Sequence, residues 1–185
     1  MQLTNKYSLD FYLKDGWYVV EVENAEWLVS EESGESTNTL RVQFRIADGE
    51  YAGGHFSTFC PVDKAFGRRK LASILGYSRL AEEMEKKMGL EDLPLDRWAE
   101  KYLNPDTKIG RAVVNSAFLL LPGAVLGVEL KQRTYKDRNG EEKTAQDIYS
   151  VGFASEVGAV EEEEVKPVVA KSKKSKVEDD EDDSW

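Results

Sequence analysis

Two segments of the sequence carry basic, amide and aromatic side chains at alternate positions, the spacing that gathers side chains on one face of a β-strand. The residues are Arg41, Gln43 and Arg45 in the first segment and Lys131, Arg133 and Tyr135 in the second, which is followed by Lys136 and Arg138 in a predicted loop and by Lys143 just beyond it. Single-stranded nucleic acid is bound by cations that follow its phosphates and by flat rings that stack on unpaired bases. The two segments therefore predict a nucleic-acid-binding surface if the fold brings them together.

Aromatic residues that could stack on bases occur in or near the predicted strands. The candidates are Trp17, Trp27, Phe59, Tyr135 and Tyr149. Most aromatic side chains of a small β-domain lie in its core, so stacking is the less common role for each. We prefer Tyr135, because it shares a strand face with Lys131 and Arg133, and we include Phe59 as a second ring.

A third basic group, Arg68, Arg69 and Lys70, lies in a predicted helix and either extends this surface or simply faces solvent.

Enzymatic chemistry has weaker support. His55 and Cys60 are the sole residues of their types, and five strand residues separate them by about 16 Å on opposite faces. They cannot form a nucleophile–base pair within one chain, and two donors are too few for a structural zinc site. We expect no catalytic activity, no cofactor and no bound metal.

The charge distribution limits where nucleic acid could bind. The net charge is −10, and residues 161–185 contribute half of it with ten acidic residues and five lysines. The remaining 160 residues are also acidic overall, so any nucleic-acid site must be a local groove. We expect a protein of the cytoplasm, because the sequence has no secretory pattern and no apolar run long enough to span a membrane.

The C-terminal segment from Val157 onward has neither helical nor strand periodicity, which predicts disorder. It ends in six consecutive acids and a terminal tryptophan: Glu178, Asp179, Asp180, Glu181, Asp182, Asp183 and, after Ser184, Trp185. A solvating tail gains nothing from an exposed indole, so Trp185 indicates a partner. A polyanion with a ring resembles single-stranded DNA, and the tail could occupy the protein's own groove until nucleic acid displaces it.

The order of predicted elements indicates a fold class. Three strands cover "GWYVVEVENAEWLV", "TLRVQFRIA" and "HFSTFC"; a helical region follows; and a hairpin turning at Asn139-Gly140 ends the domain. "GRAVVNSAFLLL" fits a helix or a buried strand. This order is that of an OB-fold, a five-stranded Greek-key barrel with a helix between its third and fourth strands. We predict such a domain over residues 1–156 and a tail over 157–185. An unrelated α+β sheet domain would give the same order.

The body of the chain resembles phage-encoded OB-fold single-stranded-DNA-binding proteins. The similarity is strongest in "GWYVVEVENAEW", "SGESTNTLRVQFRIADGEYAGGHFSTF" and "LLPGAVLGVELKQRTYKDRNGEEKTAQDIYSVGF". The acidic tail with its terminal aromatic residue resembles the tails with which bacterial and short-tailed-phage members recruit replication enzymes. Many members end in phenylalanine, and the insert between residues 62 and 121 is long for a minimal OB-fold. The resemblance implies the cytoplasm of an infected bacterial host.

Together these observations predict a protein that binds single-stranded DNA without sequence preference during phage replication or recombination. Its tail would recruit a phage or host DNA polymerase or helicase. Whether it forms a homo-oligomer stays open. One alternative is an acidic DNA mimic that inhibits a host nucleic-acid enzyme, which the acidic body would suit. Another is a carboxylate-metal nuclease, although the acids show no recognisable metal-site spacing.

Overall fold

The structure, a computed structural model of the protein, describes residues 13–30, 33–137 and 139–157. Its elements are β1 (Gly16–Val29), β2 (Ser36–Ile46), β3 (His55–Pro61), α1 (Ala65–Tyr77), α2 (Leu80–Met88), α3 (Leu95–Tyr102), α4 (Lys108–Leu120), β4 (Val125–Lys136), β5 (Glu142–Gly152) and α5 (Ala154–Val157). Three strands, a helical insert and a hairpin follow one another as the sequence predicts. The predicted domain boundary at residue 157 falls at the end of α5, and the rest of the tail lies outside the described residues.

The five strands form one antiparallel sheet in the order β3-β2-β1-β4-β5. The central strand β1 is shared, because residues 20–29 pair with β2 and residues 16–21 pair with β4. A register shift at Glu23 marks a bulge in β1, and bulges bend a strand and increase its twist. The prediction of a mainly β domain with five strands is confirmed. The sheet is open, because β3 and β5 form no backbone pairing with each other among the described residues.

The inner face of the sheet carries the apolar residues that alternate along the strands. Its buried members include Leu40, Val42, Phe44 and Ile46 of β2 and Leu126, Val128 and Leu130 of β4. Burying one such side chain stabilises the fold by about 1.5–3 kcal/mol. The predicted faces of both strands are therefore confirmed, and the polar residues between them point away from the core.

The helices of the insert cover this inner face. The ambiguous segment "GRAVVNSAFLLL" is helical, within α4, and buries Val113, Val114 and Ala117. Pro61 ends β3, and α1 begins four residues later at Ala65. Gly67 allows α1 to pack directly on the end of β3, since a Cβ there would lie 2.1 Å from the Pro61 carbonyl oxygen. None of the helices in the described ranges is long and apolar enough to cross a membrane.

Candidate nucleic-acid interface

The outer face of β2 and β3 holds the first predicted basic segment, which we call the β2–β3 face: Arg41, Gln43, Arg45 and Phe59. The strand register places Arg41 between Phe59 on β3 and Glu26 on β1. Two rows further along, Arg45 lies opposite Glu21 of β1. Directly opposed residues share a face of the sheet, so each arginine has a glutamate as its neighbour.

Both arginines are paired with these glutamates. Arg41 Nη1 donates to Glu26 Oε1 at 2.9 Å, and Arg45 Nη2 donates to Glu21 Oε2 at 2.7 Å. Arg41 Nε also donates to the Ser57 hydroxyl at 3.3 Å. The β2–β3 face is therefore nearly neutral, although half of the Phe59 side chain is exposed. These ion pairs are partly exposed, which makes each weak enough for a phosphate to replace the glutamate.

The second segment lies on a two-stranded arm formed by residues 131–137 and 139–147. Pairing between β1 and β4 ends where Gly16 meets Leu130, and the β4–β5 hairpin continues beyond it. At the tip, Asp137 Oδ1 accepts hydrogen bonds from the backbone N–H groups of Asn139 and Glu141. Gly140 there adopts a left-handed φ of 81°, in agreement with the predicted hairpin turn at Asn139-Gly140.

The outer side of the arm and its base carry a row of rings and cations, which we call the ladder: Tyr149 at the base, then Lys131, Arg133, Tyr135 and Lys143. Lys131 Nζ lies 3.5 Å from the centre of the Tyr149 ring, and Arg133 Cζ lies 6.0 Å from that of Tyr135. Lys143 is directly opposite Tyr135 in the strand register. Tyr135 is 45% exposed and Tyr149 is 68% exposed, so both rings are accessible.

The cations of the arm differ in how they are compensated. Lys131 pairs with Glu129 at 3.0 Å, and Lys143 pairs with Asp137 at 2.6 Å. The Lys143 ammonium and the N–H groups of the turn hold the pKa of Asp137 below its ordinary value. Arg133 and Lys136 have no carboxylate within 4.0 Å among the described residues, which leaves both available to phosphates. The predicted Arg138 lies outside the described residues.

An opening lies between the edge strands β3 and β5, which form no backbone pairing with each other among the described residues. Lys70 of α1 lies in this opening, where its Nζ donates to Thr58 Oγ1 at 3.3 Å and to Asp147 Oδ1 at 3.1 Å. Thr58 precedes Phe59 on β3, and Asp147 is opposite Lys131 on the arm. Thr58 is buried, so its side chain lies on the face of β3 opposite to that of Phe59. Lys70 therefore connects the two edge strands, whereas β1 separates the β2 segment from the β4 segment in the sheet.

The other two basic residues of α1 differ from Lys70. Arg68 is only 12% exposed and donates to the carbonyl oxygens of Val62 and Asp63 and to Glu100. It anchors the start of α1, and we leave it outside the interface. Arg69 is exposed and lies 3.8 Å from Asp96, on the side of α1 that contacts α3.

The remaining candidates are not part of the ladder, although Trp17 is opposite Glu129, the partner of Lys131. The half-buried Trp17 ring packs over Gly152, where an added Cβ would be 3.2 Å from Trp17 Cζ3. Cys60 is fully buried, and burial raises the pKa of its thiol to about 12, whereas His55 bonds Glu23 on the outer face. No three His, Cys, Asp or Glu side chains in the described ranges are placed to hold a metal ion. The predicted tail residues 178–185 lie outside those ranges.

Sequence reasoning missed two features of this surface. The partners of Arg41 and Arg45 occur in the motif "EVENAE" of β1, which alternates acids as β2 alternates arginines. Adjacent strands of a meander place such patterns side by side, so the pairing was readable from the sequence. Tyr149 was one of several candidate rings. Its contact with Lys131 depends on a register shift in the pairing of β4 with β5, which local periodicity does not predict.

The sequence matches no protein-family model and no curated protein.

Proposed function

We propose that the protein binds single-stranded DNA without sequence preference, using the ladder on the arm together with the β2–β3 face. The fold that we propose is an OB-type barrel whose closing edges are held apart by α1. Three features support it: β1 pairs with both β2 and β4, a helical insert separates the meander from the hairpin, and Lys70 bonds both edge strands. Barrels of this type are often partly open and bind oligonucleotides on strands 2 and 3 and the adjoining loops.

The ladder is the observation that carries the proposal. Two exposed tyrosines flank two cations on a projecting hairpin, and one of these cations, Arg133, has no carboxylate partner among the described residues. Tyr135 and Lys131 are four strand residues apart, or about 13 Å. A stacked strand advances about 3.4 Å per nucleotide, so the two rings span about four nucleotides. Every base has a flat face, which makes such binding tolerant of sequence.

Stacking contributes more than charge in this proposal. Arg41, Arg45, Lys131 and Lys143 each have a carboxylate partner in the free protein. DNA must replace those carboxylates before the cations neutralise phosphates, which reduces the net electrostatic gain. We therefore expect affinity to fall with salt, with a slope that reflects a few phosphates.

The biological role that we propose is protection of single strands during phage DNA replication or recombination. The acidic segment 178–183 and Trp185 would recruit a DNA polymerase or helicase to those strands. The block pattern of charge in the tail supports this role, since a segment of six acids ending in an indole can bind a basic, apolar-lined pocket.

A titration of a fluorescently labelled oligothymidylate, read by anisotropy, tests the DNA site. Replacing Tyr135 or Tyr149 by alanine should each weaken binding by about 1–3 kcal/mol, whereas phenylalanine at either position should retain most of the affinity. Leu119→Ala on α4 is a matched control, because it also removes an exposed apolar side chain. Affinity unchanged by both alanine variants would remove the ladder from the site, and no affinity for DNA would favour the acidic-mimic alternative.

A further inference from the structure

A cavity of about 320 Å³ lies at the end of β1 opposite to the arm. It is formed where β1 and β2 meet the start of α4, and five of the residues lining it are Trp27, Asn38, Pro105, Arg111 and Asn115. Its volume is at the lower end of the range of about 300–1,000 Å³ that small-molecule sites occupy. No residue of the ladder lines it, so it is separate from the proposed DNA surface.

One side of the cavity is apolar and contains a large flat ring. Trp27 is half-buried and packs against the core, and its strand partner Leu40 is fully buried. Val114 of α4, also buried, and Pro105 complete this side. An indole supported by the core and open to a cavity offers a rigid surface on which a planar ligand can stack.

The other side offers hydrogen-bonding groups and a positive charge. Arg111 is the one charged residue among those lining the cavity, and its Nη1 donates to the Pro105 carbonyl at 2.9 Å. That bond orients the guanidinium, and no carboxylate of the described chain lies within 4.0 Å of it. The side-chain amides of Asn38 and Asn115 form no hydrogen bond with another described residue, so both can serve a ligand.

Asn38 also has an unusual backbone conformation. Its φ of 54° lies in the left-handed region, inside a strand, where a residue other than glycine is rare. Its carbonyl oxygen accepts a hydrogen bond from Val62 N–H at 2.9 Å, which connects this conformation to the end of β3. Asparagine adopts this region more readily than other residues with a side chain, so the conformation is compatible with the place of Asn38 in the lining.

We propose that this cavity binds one nucleotide, with the base stacked on Trp27, the base edge hydrogen-bonded by the amides of Asn38 and Asn115, and the phosphate on Arg111. The Trp27 ring favours a planar group, and the side-chain amides of the two asparagines can both donate and accept hydrogen bonds. The positive charge of Arg111 favours an anion. The nucleotide is either free or one unit of a DNA strand, since both present the same chemistry. This site goes beyond the ladder and does not depend on it.

Two-dimensional NMR of the full-length, ¹⁵N-labelled protein tests the proposal with four probes: thymidine monophosphate, thymidine, inorganic phosphate and an oligothymidylate. The monophosphate should shift the indole N–H of Trp27 and the backbone amides around Asn38 and Arg111. Thymidine should shift the same signals more weakly. Shifts from the monophosphate identify a site for free nucleotides, and shifts from the oligothymidylate alone identify one for nucleotides within a strand.

Variants separate the roles of the lining residues. Arg111→Ala should weaken binding of the monophosphate at least about tenfold, the loss typical of a charged hydrogen bond, and leave thymidine unaffected. Lys108→Ala is the matched control, because it removes a like charge from an exposed position of the same helix outside the lining. Asn115→Ala, also at an exposed position, should weaken binding of both thymidine monophosphate and thymidine. Tyr135→Ala should leave the monophosphate affinity unchanged, which keeps this test distinct from that of the ladder.

Three results would overturn the proposal. One is the absence of shifts at Trp27 and Asn38 with both the monophosphate and the oligothymidylate. Another is inorganic phosphate binding as tightly as the monophosphate, which would reduce the cavity to a simple anion site. The third is an Arg111→Ala variant that is folded by circular dichroism and binds the monophosphate like the parent protein.

Discussion

Replacing Glu21 and Glu26 together by glutamine would show whether the β2–β3 face belongs to the DNA interface. These carboxylates hold Arg45 and Arg41 at 2.7 Å and 2.9 Å, and glutamine keeps their shape while removing both negative charges. The glutamate side chains are more than a third exposed, so each ion pair contributes at most about 1 kcal/mol to stability. The double variant should therefore fold and present two uncompensated arginines.

The expected effect follows from counterion release. Each phosphate that a protein neutralises on a single strand steepens the logarithmic salt dependence by about 0.7, so two freed arginines add about 1.4. A threefold rise in salt should then weaken binding by the double variant about fivefold more than binding by the parent protein. At low salt the variant should bind more tightly, because DNA no longer has to displace the two carboxylates.

The assay is the anisotropy titration with labelled oligothymidylate, repeated at two salt concentrations for each protein. The matched control replaces Glu82 and Glu83 on α2 by glutamine, which makes the same change in net charge on a different surface. If DNA affinity depends on salt equally steeply in the two double variants, the change in net charge alone explains the effect. In that case Arg41 and Arg45 contact no phosphate, and the interface is confined to the arm.

Two further predictions concern the tail and the core. Deleting residues 161–185 should tighten DNA binding in the same titration and abolish capture of a replication polymerase or helicase; weaker DNA binding would instead make the lysine-rich segment 171–176 a DNA contact. Burial raises the pKa of the Cys60 thiol from 9.0 to about 12, so its neutral form stabilises the fold below pH 9 and this contribution is lost as pH rises towards 12. Denaturation curves across that pH range and alkylation of this single thiol check it, and rapid alkylation of the native protein near neutral pH would contradict complete burial.

Local pattern predicted much of the fold, because strand alternation has a period of two residues. The alternation in β2 identified its inner face, and all four apolar positions from Leu40 to Ile46 are buried. The Asn139-Gly140 pair also predicted the hairpin turn, where Gly140 has a left-handed φ of 81°. The segment "GRAVVNSAFLLL" stayed open because a short apolar run fits a helix or a buried strand, and residues 110–120 of it belong to α4.

The electrostatics of the site could not be predicted as well, because they depend on which strands are neighbours and in which register. The arginines of β2 looked basic in isolation, and only pairing with β1 makes that face nearly neutral. The role of Lys70 depends on Thr58 and Asp147, which are 12 and 77 residues away in sequence. No local pattern encodes such a contact, whereas the shared face of Lys131, Arg133 and Tyr135 on β4 was predictable from alternation alone.

The position of α1 between the edge strands β3 and β5 also affects how the protein behaves at high concentration. An uncovered edge strand can recruit the backbone of another molecule, which leads to aggregation. Here the helix contacts both edge strands, β3 and β5, and the Lys70 ammonium ties them together through Thr58 and Asp147. An edge fastened in this way is less free to add the backbone of a second molecule, so we expect the protein to stay monodisperse at concentrations at which an unfastened sheet would aggregate.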